Sequence, residues 1–155
     1  AGVVRQSERH VHTDPPAPAE LQDLADEVRE LISAAIPDAV RAKVGGAIAV
    51  AGTVTSCAAI EQALDPYDPD RVHGFVLERA DCELLLARLA GMALAERRTV
   101  VGLHPDRAPT IVAGIVILVE ALRAFGLERV EVSERDLLWG AALERARRAP
   151  AQTCD

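Results

Sequence analysis

Hydrophobic positions recur along this chain with two distinct periods. Leu21, Leu24, Ala25, Val28, Leu31, Ile32 and Ala35 keep helical spacing with charges opposite, which predicts an amphipathic surface helix ended by Pro37. Asp14-Pro15-Pro16 is a stiff turn ahead of it, Pro18 suits a first helical turn, and Glu20 lies near the positive end of the dipole. After a short polar stretch to Lys43, the apolar run Ala47 to Val50 has the length of a buried strand. It breaks at Ala51-Gly52-Thr53 and feeds a helical pattern carrying Ala58, Ala59, Ile60, Ala63 and Leu64. Arg79 to Leu89 reads as a second amphipathic helix with Leu85, Leu86 and Leu89 inward, closed by Gly91. Leu94 to Arg98 gives a further helical turn ending in a basic pair. His104-Pro105-Asp106-Arg107 then opens the run from Ile111 to Leu122, which is apolar on nearly every side and predicts a central helix ended by Gly126. Arg129 to Ser133 alternates as a strand, and Leu137 to Arg148 is a last amphipathic helix, basic toward its end.

Between these segments the pattern is weaker. Val3 and Val4 suggest a strand, and Arg71 to Leu77 contains room for a short extended piece. Asp65-Pro66-Tyr67-Asp68-Pro69-Asp70 is a loop whose acids read as turn formers and helix caps; its spacing lacks the mid-loop Gly and closing Glu of an EF-hand. The tail, 150–155, is expected to fray. Two clear strands are too few for a free-standing α/β domain of this helix content. Either strands near Val3 and Val76 complete the sheet, or segments outside this chain do, and the abrupt start of the sequence favours a missing part.

Composition narrows the classes. A chain of 155 residues, 50% hydrophobic, is one globular domain with a sizeable core. Only 3% of it is aromatic and the formal net charge is −7, which argues against a base-stacking platform and against nucleic acid as a partner. Cys57, Cys82 and Cys154 stand far apart with no C-x-x-C pair, against a disulfide framework or zinc site and in keeping with a reducing cytoplasm. The chain shows no charged-then-apolar signal segment, and the longest apolar run, Ile111 to Val119, falls short of a membrane span, so a soluble protein with no membrane partner is expected.

Candidate chemistry gathers where the first strand ends. A strand that breaks at small residues and enters a helix leaves backbone N–H groups pointing into the gap, and those donors with nearby Thr and Ser hydroxyls suit a phosphate oxygen. The same small residues also serve close packing, and Gly45 to Ser56 allows both readings. His10 and His12 would share a face of a strand and could ligate a metal, but no Cys, Asp or Glu at ligand spacing completes a set, leaving solvent exposure as the simpler use.

Several blocks together resemble one family. Arg5-Gln6-Ser7-Glu8-Arg9 followed by Thr13-Asp14-Pro15-Pro16 looks like the segment opening the C-terminal domain of the exopolyphosphatase/guanosine pentaphosphate phosphatase (Ppx/GppA) family. Ala51-Gly52-Thr53-Val54-Thr55 with Ala58-Ala59-Ile60 is similar to its second phosphate loop and helix. Leu64-Asp65-Pro66-Tyr67-Asp68-Pro69, Arg71-Val72-His73-Gly74 and Leu77 resemble its shorter members. Asp106 to Gly114 is similar to the stretch entering its central helix, and Val132-Ser133 with Leu137 and Gly140 to its terminal strand–helix signature. The final signature usually has Gly, Arg and Glu where Asp136, Leu138 and Trp139 stand here.

The resemblance covers nearly the whole chain and implies an α/β fold of the actin-like ATPase (ribonuclease H-like) kind, a central sheet flanked by helices. Residues 1–149 would be the C-terminal half of a two-domain protein. It implies removal of terminal phosphate from polyphosphate or guanosine pentaphosphate, a magnesium cofactor, and a catalytic carboxylate with the metal ligands on a missing N-terminal domain. It assigns phosphate binding to the N–H groups of Gly52 and Thr53, the hydroxyls of Thr53 and Thr55, and the guanidinium of Arg107, an Arg otherwise free to pair with Asp106. Arg71 and His73 would line the cleft or cap the following segment. A sheet face left bare by the missing half would favour a homodimer. The other class of reading is a non-catalytic dimerisation or nucleotide-responsive module on the same fold.

Overall fold

The computed structural model describes residues 2–148. A short helix α1 (Val3–His10) leads into α2 (Pro18–Ala35) and a single turn α3 (Asp38–Arg41). Strand β1 (Ile48–Val50) runs directly into α4 (Gly52–Glu61). A turn of helix α5 (Pro69–Val72) precedes β2 (Val76–Glu78), α6 (Arg79–Ala90) and the turn α7 (Leu94–Arg97). A 3-10 turn (Pro105–Arg107) opens onto α8 (Ile111–Ala124), followed by β3 (Arg129–Ser133) and α9 (Leu137–Arg148).

The sheet has the order β1-β3-β2, with β1 parallel and β2 antiparallel to β3. Its inner face carries Ala49, Leu77, Val130 and Val132 against the helices. There they meet Cys57 and Ala58 of α4, Leu85 and Leu89 of α6, and Ile111 and Ile115 of α8. The other face of α8, through Ala113 and Val116, packs on Leu24, Ala25 and Val28 of α2. The prediction of a central helix holds, because α8 is covered by the sheet on one side and α2 on the other.

Four readings of the sequence change. Val3 and Val4 lie in α1, not in a strand, since Gln6 on that helix is buried (2% exposed) and tertiary docking outweighs the weak strand preference of two valines. The extended piece near Val72 begins later, because Asp68 accepts hydrogen bonds from the N–H groups of Asp70 and Arg71 and starts a helical turn instead. The missed third strand is the one near Val76: Leu77 is buried opposite Val130, and Val76 pairs with Glu131. His104 to Arg107 does not begin α8 itself, whose first residue is Ile111.

Asp14 ties the N-terminal loop to the body: its carboxylate accepts from the Leu94 N–H at 2.8 Å and from Nη2 of the buried Arg97 at 3.0 Å. The outer sheet face stays bare, with Ile48, Val50 and Val76 exposed. Helix α9 buries none of its residues, and Leu137, Leu138 and Trp139 are open to solvent. None of the described helices is long and apolar enough to cross a membrane. The expectations about 150–155 and Cys154 fall outside the described residues.

Candidate phosphate-binding site

The corner between β1 and α4 is built from strained and close-fitting backbone. Ala51, the residue that caps α4, has φ 74° and ψ 176°, a region that glycine enters freely and a side chain enters only at a cost of about 1–3 kcal/mol. The first intrahelical bond runs from the Thr55 N–H to the Ala51 carbonyl, so the amides of Gly52, Thr53 and Val54 precede the helical ladder. Those amides stand at the positive end of a ten-residue helix dipole.

Arg107 reaches this corner from the 3-10 turn. A Cβ on Gly52 would overlap Nη1 and Cζ of the Arg107 guanidinium, so a glycine at 52 is what lets the cation seat against the first turn of α4. Gly114 of α8 does the same for the next residue: a Cβ there would lie 2.6 Å from Oγ1 and 2.8 Å from Cγ2 of Thr53. Two glycines therefore fix α4 between Arg107 and α8.

Beside the corner lies a cavity of about 640 Å³, lined among others by Thr55, Tyr67, His104, Asp106, Arg107 and Glu134. Glu134 follows β3 immediately, and the register Val50 opposite Ser133 places it next to Ala51 at the carboxyl ends of two parallel strands. That is where open α/β sheets hold ligands. Tyr67 donates its hydroxyl proton to the Glu134 carboxylate, and burial together with this bond pushes the phenol up to about 12.

Of the residues singled out from the sequence, Thr55 and Arg107 share the cavity wall and Gly52 lies beneath Arg107, whereas the Thr53 side chain packs on Gly114. Among the described residues Arg107 makes no ion pair; Asp106 instead faces Nδ1 of His104 at 3.8 Å. Arg71 and His73 sit on α5 and at its end, away from this cavity. His10 and His12 do not share a strand face, because the chain there is helical up to His10: His10 Nε2 meets Glu27 at 2.5 Å and His12 Nε2 the Arg9 carbonyl at 3.1 Å. Sequence reasoning missed Tyr67 and Glu134. Tyr67 is the one tyrosine in the chain, a signal in itself within a proline-rich loop, but Glu134 is identified only by strand register.

The described residues include no group of three or more His, Cys, Asp or Glu side chains able to hold a metal ion. Asp106 and Glu134 in the cavity fall short of such a set, and Asp68 is engaged as a helix cap, so these residues do not fit a resident divalent cation.

A mixed sheet flanked by helices, with a phosphate-loop-like corner at its carboxyl edge, places the domain in the actin-like ATPase fold class. The chain belongs to the Ppx/GppA phosphatase family, which matches residues 1–148. It is 32% identical over 149 residues to exopolyphosphatase 2 of Mycobacterium tuberculosis, a match covering 94% of this chain and 47% of the relative. Among solved structures, the Aquifex aeolicus Ppx/GppA phosphatase superposes with a TM-score of 0.84 at 27% identity, over 92% of this chain and 46% of that one. An exopolyphosphatase-like protein gives 0.87 at 30% identity, over 95% and 49%. The chain thus spans about half the length of the relatives it matches.

Proposed function

We propose that this chain is the phosphate-chain-binding half of an exopolyphosphatase-type phosphohydrolase, acting on the terminal phosphate of inorganic polyphosphate or guanosine pentaphosphate. In this reading it stands C-terminal to a domain that supplies the catalytic carboxylate and the protein ligands of magnesium, and it hydrolyses nothing alone. The observation that carries the reading is the Arg107 guanidinium, without an ion pair among the described residues, seated on Gly52 at the start of α4. A planar guanidinium beside free helix-terminal amides offers a phosphate both a bidentate fork and a dipole. Gly52 and Thr53 contribute backbone donors, and Thr55 contributes a hydroxyl from the cavity wall.

The test joins this domain to whatever precedes it in its gene and measures phosphate release from long-chain polyphosphate and guanosine pentaphosphate with magnesium. Release that collapses in Arg107→Ala and falls in Thr55→Ala supports the reading. Release by the 155-residue chain alone, or release untouched by Arg107→Ala, overturns it. A second reading, a non-catalytic dimerisation or nucleotide-responsive module, is favoured by one feature: apolar side chains stand exposed both on α9 (Leu137, Leu138, Trp139) and on the sheet (Ile48, Val50, Val76). No phosphate release from the joined protein, together with a dimer in sedimentation, would select it.

A further inference from the structure

Helix α9 carries a continuous apolar stripe, yet none of its residues is buried. Leu138, Trp139, Ala142, Leu143 and Ala146 fall at i, i+1, i+4, i+5 and i+8, the spacing of one helix face. Leu138 is 78% exposed and Trp139 53%, so the described residues leave this face to solvent. The two ends of the helix differ in charge: Glu134 and Asp136 stand at its entry, and Arg145, Arg147 and Arg148 toward its end. Asp136 accepts from the N–H groups of Leu138 and Trp139, which holds its carboxylate at the start of the stripe. Arg135 lies over the Trp139 ring, 5.7 Å from its centroid, and steadies the ring there.

We infer that this stripe is an interface with a second copy of the chain, in which two α9 helices pair antiparallel about a twofold axis near Ala142. Charge selects both the occupant and the direction. A parallel pair would set the three arginines of one helix against those of the other. An antiparallel pair sets the acidic entry of each helix against the basic end of the other and opposes the two helix dipoles. Asp136 and Arg147 are eleven residues apart, about three turns of helix, so they lie on one flank of the stripe and meet across such a pair, twice by symmetry. Leu138 of one copy then faces Ala146 of the other, and the two Ala142 residues meet at the axis, a large-against-small fit. A helix of 12 residues is about 18 Å long and offers less area than a standard interface. The dimer is therefore weak, with a Kd between about 1 μM and about 1 mM. The stripe lies outside the cavity that holds Arg107, so the inference stands apart from the phosphate-binding reading.

Trp139 is the single tryptophan of the chain, so its fluorescence reports on the stripe itself. Sedimentation of the full chain is expected to pass from monomer to dimer between those concentrations, with the emission moving to shorter wavelength over the same range. Leu138→Glu should leave a folded monomer whose emission ignores concentration, since that side chain takes no part in the core. Arg147→Glu should weaken the dimer about threefold or more at low salt. Direction is read by oxidative cross-linking of Leu138→Cys and Ala146→Cys chains, each also carrying Cys154→Ser, mixed in equal amounts; Cys57 and Cys82 are buried and stay out of the reaction. An antiparallel pair joins the two variants to each other, whereas a parallel pair joins each to itself. A monomer at about 1 mM, a dimer untouched by Leu138→Glu, or cross-links within each variant overturns the inference. So does a monomer, at the same concentration, of this chain joined to whatever precedes it in its gene, because the preceding domain then keeps the second copy away. Phosphate release by that joined protein is a separate readout and decides the phosphate-binding reading whichever way these results fall.

Discussion

The guanidinium of Arg107 occupies the space that any side chain on Gly52 would need. The two residues are far apart in sequence and come from different turns, and the fold sets one directly against the other. Gly52→Ala is therefore expected to push Arg107 off the corner without unfolding the domain, since the end of a long side chain can move. Affinity for tripolyphosphate should fall about tenfold or more, the weight of one charge-assisted contact. Gly52→Ala added to Arg107→Ala should cost nothing further, which a double-mutant cycle reads directly.

Ala51 stands at φ 74°, where its Cβ is a burden. Ala51→Gly is expected to raise the unfolding free energy by about 1 kcal/mol, opposite to the usual effect of introducing glycine. Urea denaturation would measure it, and a loss of stability would show that the corner relaxes in solution.

Gly114 is set by Thr53. Gly114→Ala would bring a methyl to 2.6 Å from the Thr53 hydroxyl oxygen on a stiff, β-branched side chain. The expected cost is about 1–3 kcal/mol, as for other overpacked sites. Thr53→Ala in the same chain should recover most of it, visible as a restored midpoint of thermal unfolding.

Glu20 gives the fold a pH dependence. Its carboxylate accepts from the Thr13 hydroxyl at 2.6 Å and from the Ala17 N–H at 2.9 Å, and these bonds, Thr13 foremost, hold it down from 4.5 to about 2. The folded value lies below the unfolded one, so the stabilisation is present above about 4.5 and is lost as the pH falls toward 2. Glu20→Gln should melt below wild type at neutral pH, and the gap should close between those two values. A gap of constant size would show that the carboxylate charge contributes nothing.

Periodicity by itself determined most of the helices. The seven apolar positions from Leu21 to Ala35, the leucines of α6 and the all-apolar run of α8 each leave few ways to hide their side chains from water, and each formed where its spacing required. The β1–α4 corner was also legible, because small residues between a strand and a helix mark a sharp turn. What depends on partners distant in sequence was not. Val3 and Val4 became helical because α1 could dock Gln6, and Val76 to Glu78 became a strand because β3 offered an unpaired edge.

The site divides the same way. Gly52 and Arg107 stand out in the sequence as types suited to phosphate, but only the folded chain sets one upon the other. Glu134 is an ordinary acid after a strand until the register of β1 with β3 puts it beside Ala51 and Tyr67 reaches across to hold it. Local spacing decides which face of an element is apolar; only the packing of those elements decides which side chains meet in the gap between them.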